Sequence, residues 1–267
     1  MSGLPHLVGM IHLLPLPGAP RFNGSMAEVL AAAISDARSL QEAGFPALLV
    51  ENFGDTPFHA DRVEPETVAA MTVAIEAVID ATSLPVGVNV LRNDAMTALG
   101  IAAVTGARFI RVNVLTGVMY TDQGPIVGQA PKLVRRRLEL APDIEIWADV
   151  MVKHATPPPG LEPRQAALDT VERGHADAVI VSGPGTGEEP EGDVGREVRA
   201  AVPKGTRVVV GSGANVANLS RLMDFADSVI VGSGVKVDND ASNRVDQLRA
   251  AAFVEAAADH GLLQIPG

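Results

Sequence analysis

Cysteine is absent from this chain, which excludes a disulfide framework and thiolate chemistry and leaves the compartment open. Aromatic residues make up only 3% of it, with one Trp and one Tyr. Ala, Val, Leu and Ile must then fill the interior, a composition suited to helices packed closely on a parallel sheet. Positive charge is in deficit: 21 Lys and Arg stand against 32 Asp and Glu, a formal net charge of -11. That argues against a nucleic-acid role, which needs a basic footprint, and against docking on anionic lipid by charge alone. The basic residues are overwhelmingly Arg, so the few lysines, Lys153 and Lys236 in particular, draw attention. No apolar run approaches the ~18 residues of a membrane span. Residues 1–20 lack a basic n-region and are broken by prolines, which makes a poor signal peptide. The expectation is a cytoplasmic protein with no integral membrane segment.

What is present is a hydrophobic share of 47% in 267 residues, ample for a core. Apolar runs alternate with helix-period segments. The runs cover 7–13, 47–52, 85–91, 109–114, 145–152, 177–183 and two late stretches ending near 210 and 231. Helices are expected over 25–43, from 65, from 94, and over 131–140, 163–173, 194–201, 216–225 and 241–260. Ser25 with Glu28 reads as a capping box, and Gly44 as the stop. Eight strand–helix units imply a parallel sheet, and in one domain spanning 1–267 they predict a (β/α)8 TIM barrel. An open doubly wound sheet is the rival.

The two late strands end alike, in "VVVGSGAN" and "VIVGSGVK". In such barrels the loops after strands seven and eight often hold a phosphate. Glycine lets backbone N–H groups approach an anion, and serine adds a hydroxyl. Gly211, Ser212, Gly213, Gly232, Ser233 and Gly234 are therefore a candidate phosphate cradle, against the plainer reading of two tight turns. Thr186 and Gly187, in the Gly-rich segment 182–193, could extend it.

Several strands carry polar residues where a buried parallel strand should be apolar. Alternation puts Arg111 and Asn113 on one face of the fourth strand, and Gly87, Asn89 and Leu91 on one face of the third. In the fifth it groups Trp147, Asp149 and Met151, with Lys153 next. A charge inside a barrel needs a partner, so Arg111 requires Asp149 or Glu51. Glu51, Asn52, Asn89, Arg92, Asn113, Asp149, Lys153, His154 and Ser182 fall at C-terminal strand ends, where barrel active sites sit. Glu51 or Asp149 could act as a general base, and Lys153 as a Schiff-base nucleophile or an anion ligand. His12, His59 and His154 could meet at the barrel top, and with an acid they would make a metal site. Long loops at 51–58 and 116–128, the latter holding Tyr120 and Asp122, read as lids or binding loops.

The ordered set "GMIHLLPLPGAP", "ENFGDTPF", "GVNVLRND", "FIRVNV", "DQG", "WADVMVKHA", "DAVIVSGPGTG" and "VGSGVK" resembles the BtpA/SgcQ family over nearly the whole chain. The resemblance implies a phosphate-binding type of barrel. The family's name comes from photosystem I biogenesis in cyanobacteria, with peripheral thylakoid attachment. Other members occur without photosynthesis, some beside sugar-metabolism genes, where catalysis is suspected. The motif positions are Glu51, Asn52, Asp55, Asn89, Arg92, Asn93, Asp94, Arg111, Asn113, Asp122, Asp149, Lys153 and His154. Lys236 stands where a smaller polar residue is expected.

Three functions compete. The first is an enzyme on a small phosphorylated metabolite, a sugar phosphate or nucleotide-like compound. It would use isomerase, lyase or glycosidic-cleavage chemistry. Glu51, Asp149, Lys153 and His154 would be catalytic. Asn52, Asn89, Arg92, Arg111, Asn113, Asp122, Ser182, Thr186 and Gly187 would bind substrate. The second is a non-catalytic assembly factor, with the Pro-rich loop 13–20 as the candidate apolar patch. The third is a metal-dependent hydrolase. No cofactor is expected beyond a possible divalent metal, and a homo-oligomer is anticipated.

Overall fold

The short Val- and Ile-rich runs pair as eight parallel strands closed on themselves. In the computed structural model, which describes residues 4–183, 185–188, 190 and 192–263, they are β1 (Leu7–His12), β2 (Leu48–Glu51), β3 (Val86–Asn89), β4 (Phe109–Val112), β7 (Glu145–Val150), β8 (Ala178–Val181), β9 (Arg207–Val210) and β10 (Ser228–Val231). Closure runs through Leu7 opposite Val229 to Gly9 opposite Val231. The expected barrel is the fold, and the open sheet is set aside. The remaining strands, β5 (Val118–Thr121) and β6 (Gly124–Val127), form an antiparallel hairpin inside the long loop after β4. Asp122 and Gln123 make its two-residue turn, and Gly124 takes φ 94°.

The helices are α1 (Met26–Ala43), α2 (Pro65–Ala81), α3 (Ala95–Thr105), α4 (Ala130–Leu140), α5 (Pro163–Leu168), α6 (Gly192–Ala201), α7 (Leu219–Leu222) and α8 (Gln247–Ala258). Ser25 caps α1 by accepting from the Glu28 N–H, but the Glu28 carboxylate takes a bond from Asn23 instead of closing the box. Two helices differ from expectation. α7 is a single turn because Asn215 and Asn218 side chains bind local backbone and hold a turn ahead of it, as Asn does where it competes with helix. α8 starts at 247 because Asp246 caps it by accepting from the Leu248 and Arg249 N–H groups. Pro184, Glu189 and Glu191 of the Gly-rich segment lie outside the described residues.

Strand alternation sorts the core into two layers. Ile110, Val112, Ile146, Ala148, Val179 and Val208 pack outward against the helices. Val8, Met10, Leu49, Phe109, Trp147, Ile180, Val209 and Ile230 fill the barrel. The scarce large rings sit here, with Phe109 stacked on Trp147 at 4.4 Å. Gly87 makes room for them, since a Cβ on it would lie 2.3 Å from the Phe109 ring.

The chain's ends are tied by one carboxylate. Asp36 of α1, 3% exposed, accepts from Lys236 Nζ at 3.0 Å, Arg244 Nε at 2.8 Å and the Val245 N–H at 3.0 Å. Lys236 is fully buried and lies in this node, not in a phosphate cradle.

Two stability outcomes follow. Gly87→Ala should cost about 1–3 kcal/mol by overpacking in urea unfolding, with part restored by Phe109→Leu. Asp36→Asn should cost about 3–5 kcal/mol by stranding buried Lys236. Adding Lys236→Met should recover much of that loss, and no recovery would argue against the ion-pair account.

Candidate functional site

At the C-terminal mouth of the barrel lies a cavity of about 860 Å³, lined by residues that include Glu51, Phe53, Phe58, Leu91, Arg92, Asn113, Asp122, Lys153, His154 and Thr186. Its floor is an ion pair. Arg111 reaches across from β4 and donates from Nε to Asp149 Oδ2 at 2.9 Å and from Nη2 to Oδ1 at 2.8 Å. Asn113 and Ser182 add longer bonds to the same carboxylate, at 3.3 Å each. Asn89 donates to the Arg111 carbonyl and to Asn113 Oδ1, while its own Oδ1 is buried without a donor among the described residues. Gly211 lets the end of β8 pack close beside the pair, as a Cβ there would sit 2.3 Å from Ile180 Cγ2, 2.9 Å from Ser182 Oγ and 3.2 Å from Arg111 Nη2. Burial opposes the charged form of Arg111, and the Asp149 carboxylate outweighs it, so its pKa is raised. Of the two expected partners Asp149 is the one used. Its four acceptor positions are occupied, which suits a fixed counter-charge better than a proton carrier.

Above this floor three titratable groups have free functional atoms. Glu51, 4% exposed at the end of β2, has no hydrogen bond to its carboxylate among the described residues. Lys153 makes no ion pair among them. Its pKa is lowered by burial first and then by Arg111. His12 closes β1 and stacks on Phe53 at 4.5 Å. Its Nδ1 lies 2.8 Å from the Ala241 carbonyl, an acceptor only, so the proton sits on Nδ1 and the lone pair on Nε2. That Nε2 is 4.0 Å from Glu51 Oε1. Burial, then the charge of Lys236, with Lys153 and Arg111 adding, pushes the His12 pKa down to about 3, against the Ala241 carbonyl. The imidazole is therefore neutral. His12 was legible as the polar end of the first strand, on the inward face with Val8 and Met10.

The alternation expected to carry Lys153 inward does not do so. Met151 takes φ 53° and His154 φ 55°, so the strand ends at Val150. Lys153 is held instead by its backbone: Arg92 Nη2 donates to its carbonyl, and the hairpin pairs Tyr120 with Thr156. Tyr120 thus serves through its main chain, its side chain half exposed.

Other expected residues sort as follows. Asn52 does not line this cavity. Its amide is used by the Leu91 N–H and by Asp55, whose other oxygen accepts from the Leu16 N–H. It is a loop brace because its strand ends at Glu51 and the chain turns there. His154 is exposed and bonds Thr186 at 2.9 Å. His59 is exposed on the far loop, and among the described residues no three His, Asp or Glu groups gather to hold a metal. The three-histidine cluster therefore does not form. The Gly-Ser-Gly turns lie beside the cavity beneath the loop after β8. Ser212 Oγ donates to the Gly185 carbonyl and accepts from the Gly187 N–H. Gly187 abuts Ser233, since a Cβ on it would be 3.1 Å from Oγ. The Ser212 hydroxyl is thus engaged, whereas the N–H groups of Ser212, Gly213, Ser233 and Gly234 have no acceptor among the described residues.

The Pro-rich loop is not an exposed apolar patch: Leu13 and Leu16 are buried, and Gly54 packs on the Leu14–Pro15 backbone. Among the described residues no helix is long and apolar enough to cross a membrane.

Comparison with known proteins accords with the fold. The fold is similar to a solved structure described as native KDPGal (TM-score 0.61, 15% identity, 97% of each chain). It is also similar to thiamine phosphate pyrophosphorylase from Pyrococcus furiosus (TM-score 0.59, 14% identity, 96% of each chain). In sequence the chain is 46% identical to the photosystem I biogenesis protein BtpA of Synechocystis over 95% of this chain and 88% of that one. It is 49% identical to an uncharacterized protein of Thermococcus kodakarensis over 95% of each. The BtpA family model matches residues 5–259, and the chain belongs to the BtpA family.

Proposed function

We propose that this protein is an enzyme acting on a small phosphorylated metabolite by acid–base chemistry at the barrel mouth. The observation that carries the reading is Glu51, buried at the cavity, with Lys153 part-buried on the same lining and the His12 ring 4.0 Å from Glu51, each keeping a functional atom that no hydrogen bond among the described residues uses. A scaffold gains nothing from burying such groups without partners; a proton-transfer site needs them. Glu51 is the proton carrier, and His12, held neutral with its Nε2 lone pair 4.0 Å from Glu51, is placed to accept a hydrogen bond from the protonated carboxyl. Lys153 supplies positive charge to the substrate. Arg111 and Asp149 hold the floor, with Asn113 the member of that network that reaches the ligand. The phosphoryl group belongs at the turns after β9 and β10, on the free N–H groups of Ser212, Gly213, Ser233 and Gly234. The fold likeness to a thiamine phosphate enzyme supports that placement by analogy only.

An assembly role is carried by the name of the Synechocystis relative alone; the loop that would serve it is spent on packing, and the mouth is open rather than blocked.

Thermal shift against phosphorylated sugars, nucleotides and inorganic phosphate tests the reading, because a ligand of the folded state must raise the melting temperature. A selective rise, abolished by Ser212→Glu with Ser233→Glu, is expected; a flat response across the panel overturns it. With the selected ligand, Glu51→Gln should keep the shift but lower turnover by about 10²–10⁴-fold.

The neutral state of His12 gives a pH test. Its folded pKa lies below the unfolded value of 6.5. The unfolded chain thus binds more protons between pH 6.5 and about 3, and stability is full above 6.5 and lost as pH falls. From pH 6.5 to 5 the loss should be about 2 kcal/mol in denaturant unfolding. His12→Gln should remove that slice of the slope, and an unchanged slope would show that His12 is not held neutral.

A further inference from the structure

The cavity contains a buried cation without a counter-ion. Arg92 is 4% exposed, and no carboxylate lies within ion-pair distance of its guanidinium among the described residues; its one side-chain bond is to the Lys153 carbonyl. Burial lowers its pKa, and the more distant Asp149, Glu51 and Asp122 only offset this. Leaving a buried guanidinium unpaired is costly unless an anion is supplied from outside. Among the described residues Lys153, on the same lining, also lacks an ion-pair partner, and Arg21 at the rim bonds only the Gly54 carbonyl and Thr56. With Arg111 and Asp149 cancelling, the lining holds Arg21, Arg92 and Lys153 against Glu51 and Asp122. This is a locally positive pocket in a chain of net charge -11.

These cations stand after β3 and β7, apart from the Gly-Ser-Gly turns after β9 and β10. The same cavity is lined by apolar Phe53, Pro57, Phe58 and Leu91, a surface suited to a carbon skeleton and not to a third charge. We infer that the ligand carries two separated anionic groups. A phosphate sits at the turns, which rests on the functional reading above, and a carboxylate or second phosphate sits on Arg92 and Lys153. The guanidinium presents a planar fork and the ammonium a point charge, a pair that takes either anion.

Calorimetric titration of the full chain at low and physiological salt tests this with four probes. They are a sugar monophosphate, the corresponding bisphosphate, a phosphorylated sugar acid and the unphosphorylated sugar acid. The bisphosphate or the phosphorylated acid should bind at least about tenfold tighter than the monophosphate, by the second charged contact, and whichever does identifies the second anion. Lys153→Met should erase that advantage by weakening the bisphosphate or phosphorylated acid more than the monophosphate. Arg92→Gln gives a second reading should its partner loop loosen. Equal affinity for mono- and bis-anions, or an advantage that survives both variants, overturns the second seat and leaves the phosphate reading intact. If no phosphorylated probe binds, both fall together. Binding of the unphosphorylated acid alone, sensitive to Lys153→Met, overturns the two-anion ligand and the phosphate reading while keeping an anion at Arg92.

Discussion

A guanidinium inside a barrel of aliphatic side chains must be neutralised where it stands, and much of the site's geometry follows from how that is done here. Arg111 and Asp149 are paired through two bonds, a match that only the planar fork of arginine makes with a carboxylate. The pair needs close neighbours, and Gly211 lets Ile180 and Ser182 of the next strand come in beside it. It needs its remaining lone pairs met, and Asn113 and Ser182 meet them. Fixing five strand ends around one charge pair yields a rigid polar floor with the aromatic stack of Phe109 and Trp147 below it. Above that floor Glu51, His12 and Lys153 each keep a functional atom that no hydrogen bond among the described residues uses.

A second charge node does the same work for closure. Asp36 gathers the loop before α8 onto α1, so the first and last barrel units are joined by buried charge as well as by the β1–β10 ladder. The two nodes divide the chain's buried cations by role. Arg111 and Lys236 have carboxylates and are structural. Arg92 and Lys153 have none among the described residues and line the cavity. The lysines singled out by rarity thus part company, and the difference is whether an acid is within reach.

Much of this was legible in the sequence. The alternating apolar runs specified a helix-covered parallel sheet, because a strand buried on both faces must be apolar, and the count of eight units pointed to the barrel over the open sheet. The polar residues that broke the runs, Arg111, Asn113, Asp149 and Glu51, marked the inner face and the mouth. The pairing of Arg111 with a neighbouring strand's acid followed from the cost of a lone buried charge. The β5–β6 hairpin was read only as a long loop, since a four-residue strand with a two-residue turn carries a weak pattern. Asn52 looked like a site residue because it follows Glu51, yet one residue beyond the strand it turns to brace loops. Ser212 looked like a free donor and is engaged by the loop from β8.

By itself the sequence determined the parallel α/β arrangement, the layer most strand residues would join and the end at which the polar residues gather, because these depend on periodicity and on the cost of burying charge, both local. The tertiary structure decided which cations are left without a partner, which tautomer His12 holds and how Lys153 reaches the cavity after left-handed residues end its strand. Those outcomes depend on atoms brought together from positions up to 229 residues apart, and hydrogen bonding and charge pairing respond to distance in space, which no spacing along the chain encodes.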